Sequence, residues 1–194
     1  MPISYHKMHE LIPHLYEQYN PDIVLHLGLA VERTYFAMEK SASRDGYHEV
    51  PDEERRVWTR GENKKLWGKE NAVLASSFNI ENVVASWQSG VAGVHLGANP
   101  SLNGGRGKNK GKSSGKGRTV EVRASDDVGN YVCGFLYYAS LLEMGRSGNG
   151  RRRDVVFLHV PPLEGEGDVL VGARVVEKAV EALVGEWRER EVVM

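Results

Sequence analysis

An α/β fold is predicted, arranged as a three-layer α/β/α sandwich around a mostly parallel central sheet. Two short runs rich in branched apolar residues, 22–28 (DIVLHLG) and 154–160 (DVVFLHV), read as strands buried on both faces. Amphipathic segments with three-and-four apolar spacing alternate with such runs, at 8–19, 80–91 and 169–188. Strands alternating with amphipathic helices require helices on both faces of one sheet. With 194 residues and no internal repeat, residues 1–194 are expected to form a single domain.

Taken in order, Ser4 is a candidate N-cap for a first helix whose apolar face carries Met8, Leu11, Ile12, Leu15, Tyr16 and Tyr19. Pro13 is expected to kink it, and Asn20-Pro21 to end it before the first strand. Residues 31–44 are ambiguous. The charged stretch 45–69 reads as an irregular surface excursion, with Trp58 and Trp67 as candidate anchors. Ile80, Val83, Val84, Trp87 and Val91 predict a helix. Residues 97–118, rich in Gly, Ser, Asn and Lys, cannot bury enough apolar surface to offset the entropy of ordering and are expected to form a disordered loop.

Residues 119–124 (TVEVRA) alternate as a strand does. Ser125, Asp126 and Asp127 then offer N-cap oxygens for an apolar helix over about 128–144, closed by Gly145. The strand at 154–160 stops at Pro161-Pro162. A covering helix follows, with Val169, Ala173, Val176, Val180, Leu183, Val184 and Trp187 on its apolar face.

The formal charge of -1 gives no global attraction to nucleic acid, and no apolar run approaches the ~20 residues that span a bilayer. The opening residues lack the apolar stretch of a signal peptide, so a cytoplasmic location is expected. A single cysteine, Cys133, rules out an intramolecular disulfide and a tetrathiolate metal site within one chain. Taken alone it reads as a small buried hydrophobe.

Its neighbours suggest chemistry. Cys133 falls near the start of a predicted helix, where the dipole favours an ionised sulfur, and His159 lies near the carboxyl end of the strand that follows. A thiol, an imidazole and a carboxylate that orients the imidazole suffice for nucleophilic acyl transfer. With 26 acidic residues in the chain, spacing leaves the carboxylate open.

Residues 120–141 (VEVRASDDVGNYVCGFLYYASL) resemble the active-site cysteine motif of the pyroglutamyl peptidase (pyrrolidone-carboxylate peptidase) family, Ser-x-Asp-Ala-Gly-x-Tyr-Leu-Cys after an apolar strand. Ser125, Asp127, Gly129, Tyr131 and Cys133 match, whereas Val128 and Gly134 depart from the pattern. Residues 28–44 are similar to the family's glutamate motif through Gly28, Glu39, Lys40 and Ala42, and depart from it at Ala37, Ser41 and Arg44. The run VVFLHVPPL at 155–163 resembles the family's histidine strand, with His159 in place. The order Glu, Cys, His is the family's order, and the likeness extends through residues 2–30.

The resemblance implies a cysteine peptidase that removes N-terminal pyroglutamate from peptides with Cys133 as nucleophile, His159 as acid and base, and Glu39 orienting His159. No metal or organic cofactor is implied. The family usually begins with a strand and a Gly-Phe-x-Pro-Phe loop that seats the pyrrolidone ring, and the sequence opens instead on the later helix. It is therefore expected to be an incomplete reading of a longer gene, or else a shortened paralogue of weak or no activity. Arg106, Lys108, Lys110, Lys112, Lys116 and Arg118 form a basic stretch at 104–118 without aromatic residues, which reads as a solvated insertion, with a phosphate-contacting arm of a binding protein as the alternative. The GKS at 111–113 lacks the glycine and preceding strand of a phosphate loop, and His6, His9, His14, His26 and His95 show no paired metal spacing. Oligomeric state is not readable from the sequence.

Overall fold

The computed structural model describes residues 1–97, 117–146 and 152–192. The expected disordered loop at 97–118 lies mostly outside these residues. Its flanks are paired: strand β5 (His95–Leu96) runs antiparallel to β6 (Arg118–Thr119).

A four-stranded sheet forms the middle layer, in the order β1 (Val24–Leu29), β8 (Val155–Val160), β2 (Phe36–Glu39), β7 (Val122–Ser125). β1 is parallel to β8 and β2 is parallel to β7, but β2 runs antiparallel to β8. The sheet is thus mixed, two parallel pairs joined through one antiparallel ladder. β2 leads at once through Lys40 into β3 (Ser41–Ser43), which pairs antiparallel with β4 (Val73–Ala75) in a separate ribbon.

Two cores flank the sheet. On one face α1 (Tyr5–Tyr19), α2 (Arg60–Trp67) and α4 (Val132–Arg146) pack over Val155 and Phe157. On the other, α3 (Ile80–Gly90) and α5 (Gly165–Val192) cover Phe36, Met38, Val156 and Leu158. β8 is buried on both sides, as its branched apolar run predicts. β1 departs from that expectation. It is an edge strand of the described sheet, with Leu27 56% and Leu29 62% exposed, because an apolar run specifies a strand but not what lies beside it.

Several local readings change for identifiable reasons. Residues 45–69 are not wholly irregular: Thr59 accepts a hydrogen bond from the Glu62 amide and the Glu62 side chain accepts one from the Thr59 amide, a capping box that starts α2. Trp58 and Trp67 are buried against Phe135, with ring centroids 5.1 and 5.0 Å away. At α1 the Ser4 hydroxyl does not cap the helix but donates to Glu54, and Asp52 accepts the Tyr5 amide at 3.0 Å instead. α1 runs through Pro13 without a break. On α5 the packed stripe is Gly172, Val175, Ala179 and Leu183, rotated from the predicted one, so that Val169 and Val180 face solvent. The rotation seats Leu163 over Gly172, where a β-carbon would collide with it.

Two outcomes follow from this packing. Phe135 is fully buried among Tyr5, Tyr47, Trp58 and Trp67, so Phe135→Ala should cost about 3–5 kcal/mol in urea unfolding. His26 on β1 meets the buried Ser140 hydroxyl at 2.8 Å, and burial pushes its pKa from 6.5 down to about 4. The unfolded chain therefore takes up the proton first, and stability present above pH 6.5 should fall as pH drops toward about 4. His26→Gln should flatten that part of the stability profile.

Candidate functional site

The site is assembled on one face of three adjacent strands. Residues paired across neighbouring strands, and those two apart on one strand, share a face. Gly28 on β1 is the register partner of His159 on β8, and Glu39 on β2 is that of Phe157, two residues from His159. Across the sheet this face therefore presents a glycine, an imidazole and a carboxylate in succession. The His159 Nδ1 and Glu39 Oε1 atoms lie 2.7 Å apart, with Glu39 fully buried and His159 nearly so. That contact leaves Nε2 for proton exchange.

Cys133, the second residue of α4, comes down onto the glycine. A β-carbon built on Gly28 would lie 3.2 Å from the Cys133 sulfur and 2.7 Å from the Phe157 ring. The sulfur thus stands over the position beside His159, on the same side of the sheet. No hydrogen bond joins the thiol to the imidazole among the described residues; such contacts commonly tighten only when substrate is bound.

The segment leading to Cys133 is built from its own side chains. The Ser125 hydroxyl accepts the Asp127 amide and the Asp127 carboxylate accepts the Gly129 amide, each at 3.2 Å. Gly129 then takes φ +81°, a conformation that glycine adopts without strain. These oxygens therefore turn the chain rather than cap a helix at 128, and α4 starts at Val132, four residues later than its apolar pattern suggests. The turn brings the Gly129 carbonyl onto Gly134, where any β-carbon would collide with it. The departure from the family motif at Gly134 thus has a steric reason.

Electrostatically the three groups differ from their free forms. Burial raises the Glu39 pKa, but hydrogen bonds from His159, Ser125 and Arg33 outweigh it and hold the carboxyl below its ordinary range. The Ser125 hydroxyl exerts this influence from the register position beside Glu39, while Glu39 Oε2 has no partner of hydrogen-bonding geometry. Burial and, next, the Glu39 charge push the Cys133 thiol up, with Arg33 offsetting part of the rise. These influences oppose the ionisation that the helix dipole favours.

Two supporting residues were not identified from the sequence. Arg33 donates to Glu39 Oε1 at 2.6 Å and to the Asp127 carbonyl. It is the one basic residue between Gly28 and Glu39, which is the signal that could have found it. Tyr137 donates its hydroxyl to the Glu39 carbonyl at 3.0 Å and anchors the end of β2 to α4. Among the described residues no cluster of three or more His, Cys, Asp or Glu stands ready to hold a metal, and no helix is long and apolar enough to cross a membrane.

The stacked glycines yield a sign test. Gly→Ala within a helix ordinarily stabilises by about 1 kcal/mol, but Gly134→Ala should destabilise in urea unfolding because a backbone carbonyl must move.

Comparison with known proteins points one way. No family model matches the sequence. Pyroglutamyl-peptidase 1 of Mus musculus is 24% identical over 192 residues, spanning 98% of this chain and 74% of the mouse protein. The Homo sapiens pyroglutamyl-peptidase 1 is 26% identical over 165 residues, 84% of this chain and 60% of the human one. The solved pyrrolidone carboxyl peptidase from Thermococcus litoralis has a TM-score of 0.69 at 16% identity, covering 98% of this chain and 78% of that one. The chain is similar over nearly its whole length to pyroglutamyl peptidases and has the pyrrolidone carboxyl peptidase fold.

Proposed function

We propose that the chain is a cysteine peptidase that hydrolyses N-terminal pyroglutamyl residues from peptides through Cys133, His159 and Glu39. The observation that carries this reading is the buried 2.7 Å contact between His159 and Glu39, on the same sheet face as the glycine beneath the Cys133 sulfur. Because the resting thiol is pushed up by burial, nucleophile and base act together. As the sulfur attacks the pyroglutamyl carbonyl, its proton passes to His159 Nε2, and the carbonyl electron pair becomes an oxyanion. Unpaired amides in the first turn of α4, beside Cys133, are the natural donors to that charge. Collapse of the oxyanion expels the peptide amine, which takes the proton from the imidazolium and leaves a thioester. Water then attacks the thioester with His159 as base, releasing pyroglutamate and the thiol. Glu39 keeps Nδ1 protonated and steadies the imidazolium. No metal or organic cofactor takes part, and the single cysteine fits the proposed cytoplasmic location.

A second reading is favoured by the open edge of β1, the strand that carries Gly28 and is bonded on one side only, with Leu27 and Leu29 exposed on its opposite face. In it the chain holds the reacting groups but turns substrate over weakly, because the site lies open on the β1 side. A role for the basic stretch at 104–118 concerns residues almost wholly outside those described.

Release of a chromophore from a pyroglutamyl amide tests the assignment. Cys133→Ala and His159→Ala should each abolish turnover with the fold intact, and Glu39→Gln should lower kcat by on the order of 10²–10⁴. Wild-type rates in Cys133→Ala would eliminate the nucleophile. Iodoacetamide labelling of Cys133 with little turnover favours the second reading, the more so if an N-terminally extended chain regains activity.

A further inference from the structure

We propose that Arg33 is a positioning residue for the triad, bridging the Glu39 carboxylate and the Asp127 carbonyl so that the acid is tied to the loop that launches Cys133 and its charge is compensated at the sulfur. The inference rests on the peptidase reading for its catalytic consequence; its electrostatic consequence does not depend on that reading.

Arg33 sits in the turn after β1, where its amide bonds the Ala30 carbonyl at 3.1 Å and the Ala30 amide bonds Val160 at the end of β8. Its base is thus tied to the strand that carries His159. Its side chain is only 17% exposed, and the two guanidinium nitrogens diverge: Nη1 meets Glu39 Oε1 at 2.6 Å, and Nη2 meets the Asp127 carbonyl. Glu39 Oε1 is also the atom that faces His159 Nδ1, so one oxygen serves both base and clamp. Asp127 stands between the Ser125 and Gly129 turns that set the start of α4. One side chain therefore links all three segments that carry the reacting groups. A planar fork with two divergent donors suits this task, and a single ammonium does not.

The charge argument is independent of the link. Around the sulfur stand Glu39 from β2, His159 from β8, Arg33 from the β1–β2 turn and the Tyr131 phenol just before α4. Of these Glu39 opposes ionisation of the thiol and Arg33 favours it. Removing Arg33 leaves the buried Glu39 carboxylate with His159 as the remaining partner at hydrogen-bonding distance.

Cys133 is the only cysteine in the chain, so the pH dependence of iodoacetamide alkylation reads one thiol. Arg33→Met should move the alkylation midpoint upward by about one pH unit and lower kcat more than it changes KM. Arg33→Lys should hold the midpoint near wild type while still lowering kcat, since the charge stays and the bridge is lost. An unchanged midpoint in Arg33→Met, with folding verified by circular dichroism, overturns the electrostatic role; wild-type kcat in Arg33→Lys overturns the bridging role. If Arg33→Met fails to fold, Arg33→Gln takes its place with the same criteria. Alkylation needs no turnover, so a shifted midpoint in a chain without peptidase activity sinks the function and keeps the electrostatic role of Arg33, whereas an unchanged midpoint in an active chain keeps the function and sinks that role.

Discussion

A carboxylate taken wholly out of water carries a desolvation cost of several kcal/mol, and in this fold Glu39 bears it in the middle layer. The cost is offset where it arises: Arg33 and His159 meet one oxygen, and Ser125 stands beside the carboxyl on the adjoining strand. Each partner comes from a different segment, so the ion cannot be satisfied until β2, β8, β7 and the turn after β1 are all in place. The buried charge thereby acts as a check on assembly as well as a chemical group.

The mixed sheet serves the same geometry. Because β2 runs against β8, Glu39 at the end of one strand lies diagonal to His159 near the end of the other, and the two side chains meet over Phe157. A wholly parallel arrangement would carry both residues to the same end, side by side rather than diagonal. α4 is then fixed from above by Tyr137 and from its start by the turns at Ser125 and Asp127. Its aromatic residues join those of α1 and α2 in one continuous cluster around Phe135, so the helix that holds the nucleophile is also the most thoroughly packed one.

Much of this was legible in the chain. β8 and α3 follow from branched runs and apolar spacing, and the placement of Cys133 and His159 at a helix start and a strand end needs little more than their neighbours. What resisted reading has a common physical character: it depends on what lies across space. Four consecutive buried residues at 36–39 carry no alternation, so neither the strand nor its direction could be derived. The charges of 45–69 hid a capping box whose spacing, Thr59 to Glu62, was present in the letters. The exposed face of β1 looks like any interior strand until its neighbours are counted, and Arg33 becomes meaningful only when Glu39 and Asp127 are seen beside it.

The glycine beneath the sulfur belongs to one of the two edge strands of the described sheet. β1 is bonded along one side only, whereas β8 and β2 are held on both. Strands with fewer ladder bonds open locally at lower free energy than the global unfolding transition. The floor of the thiol's niche can consequently fray while the two cores remain closed, which makes the sulfur's accessibility a property of one strand's breathing rather than of the whole molecule's stability.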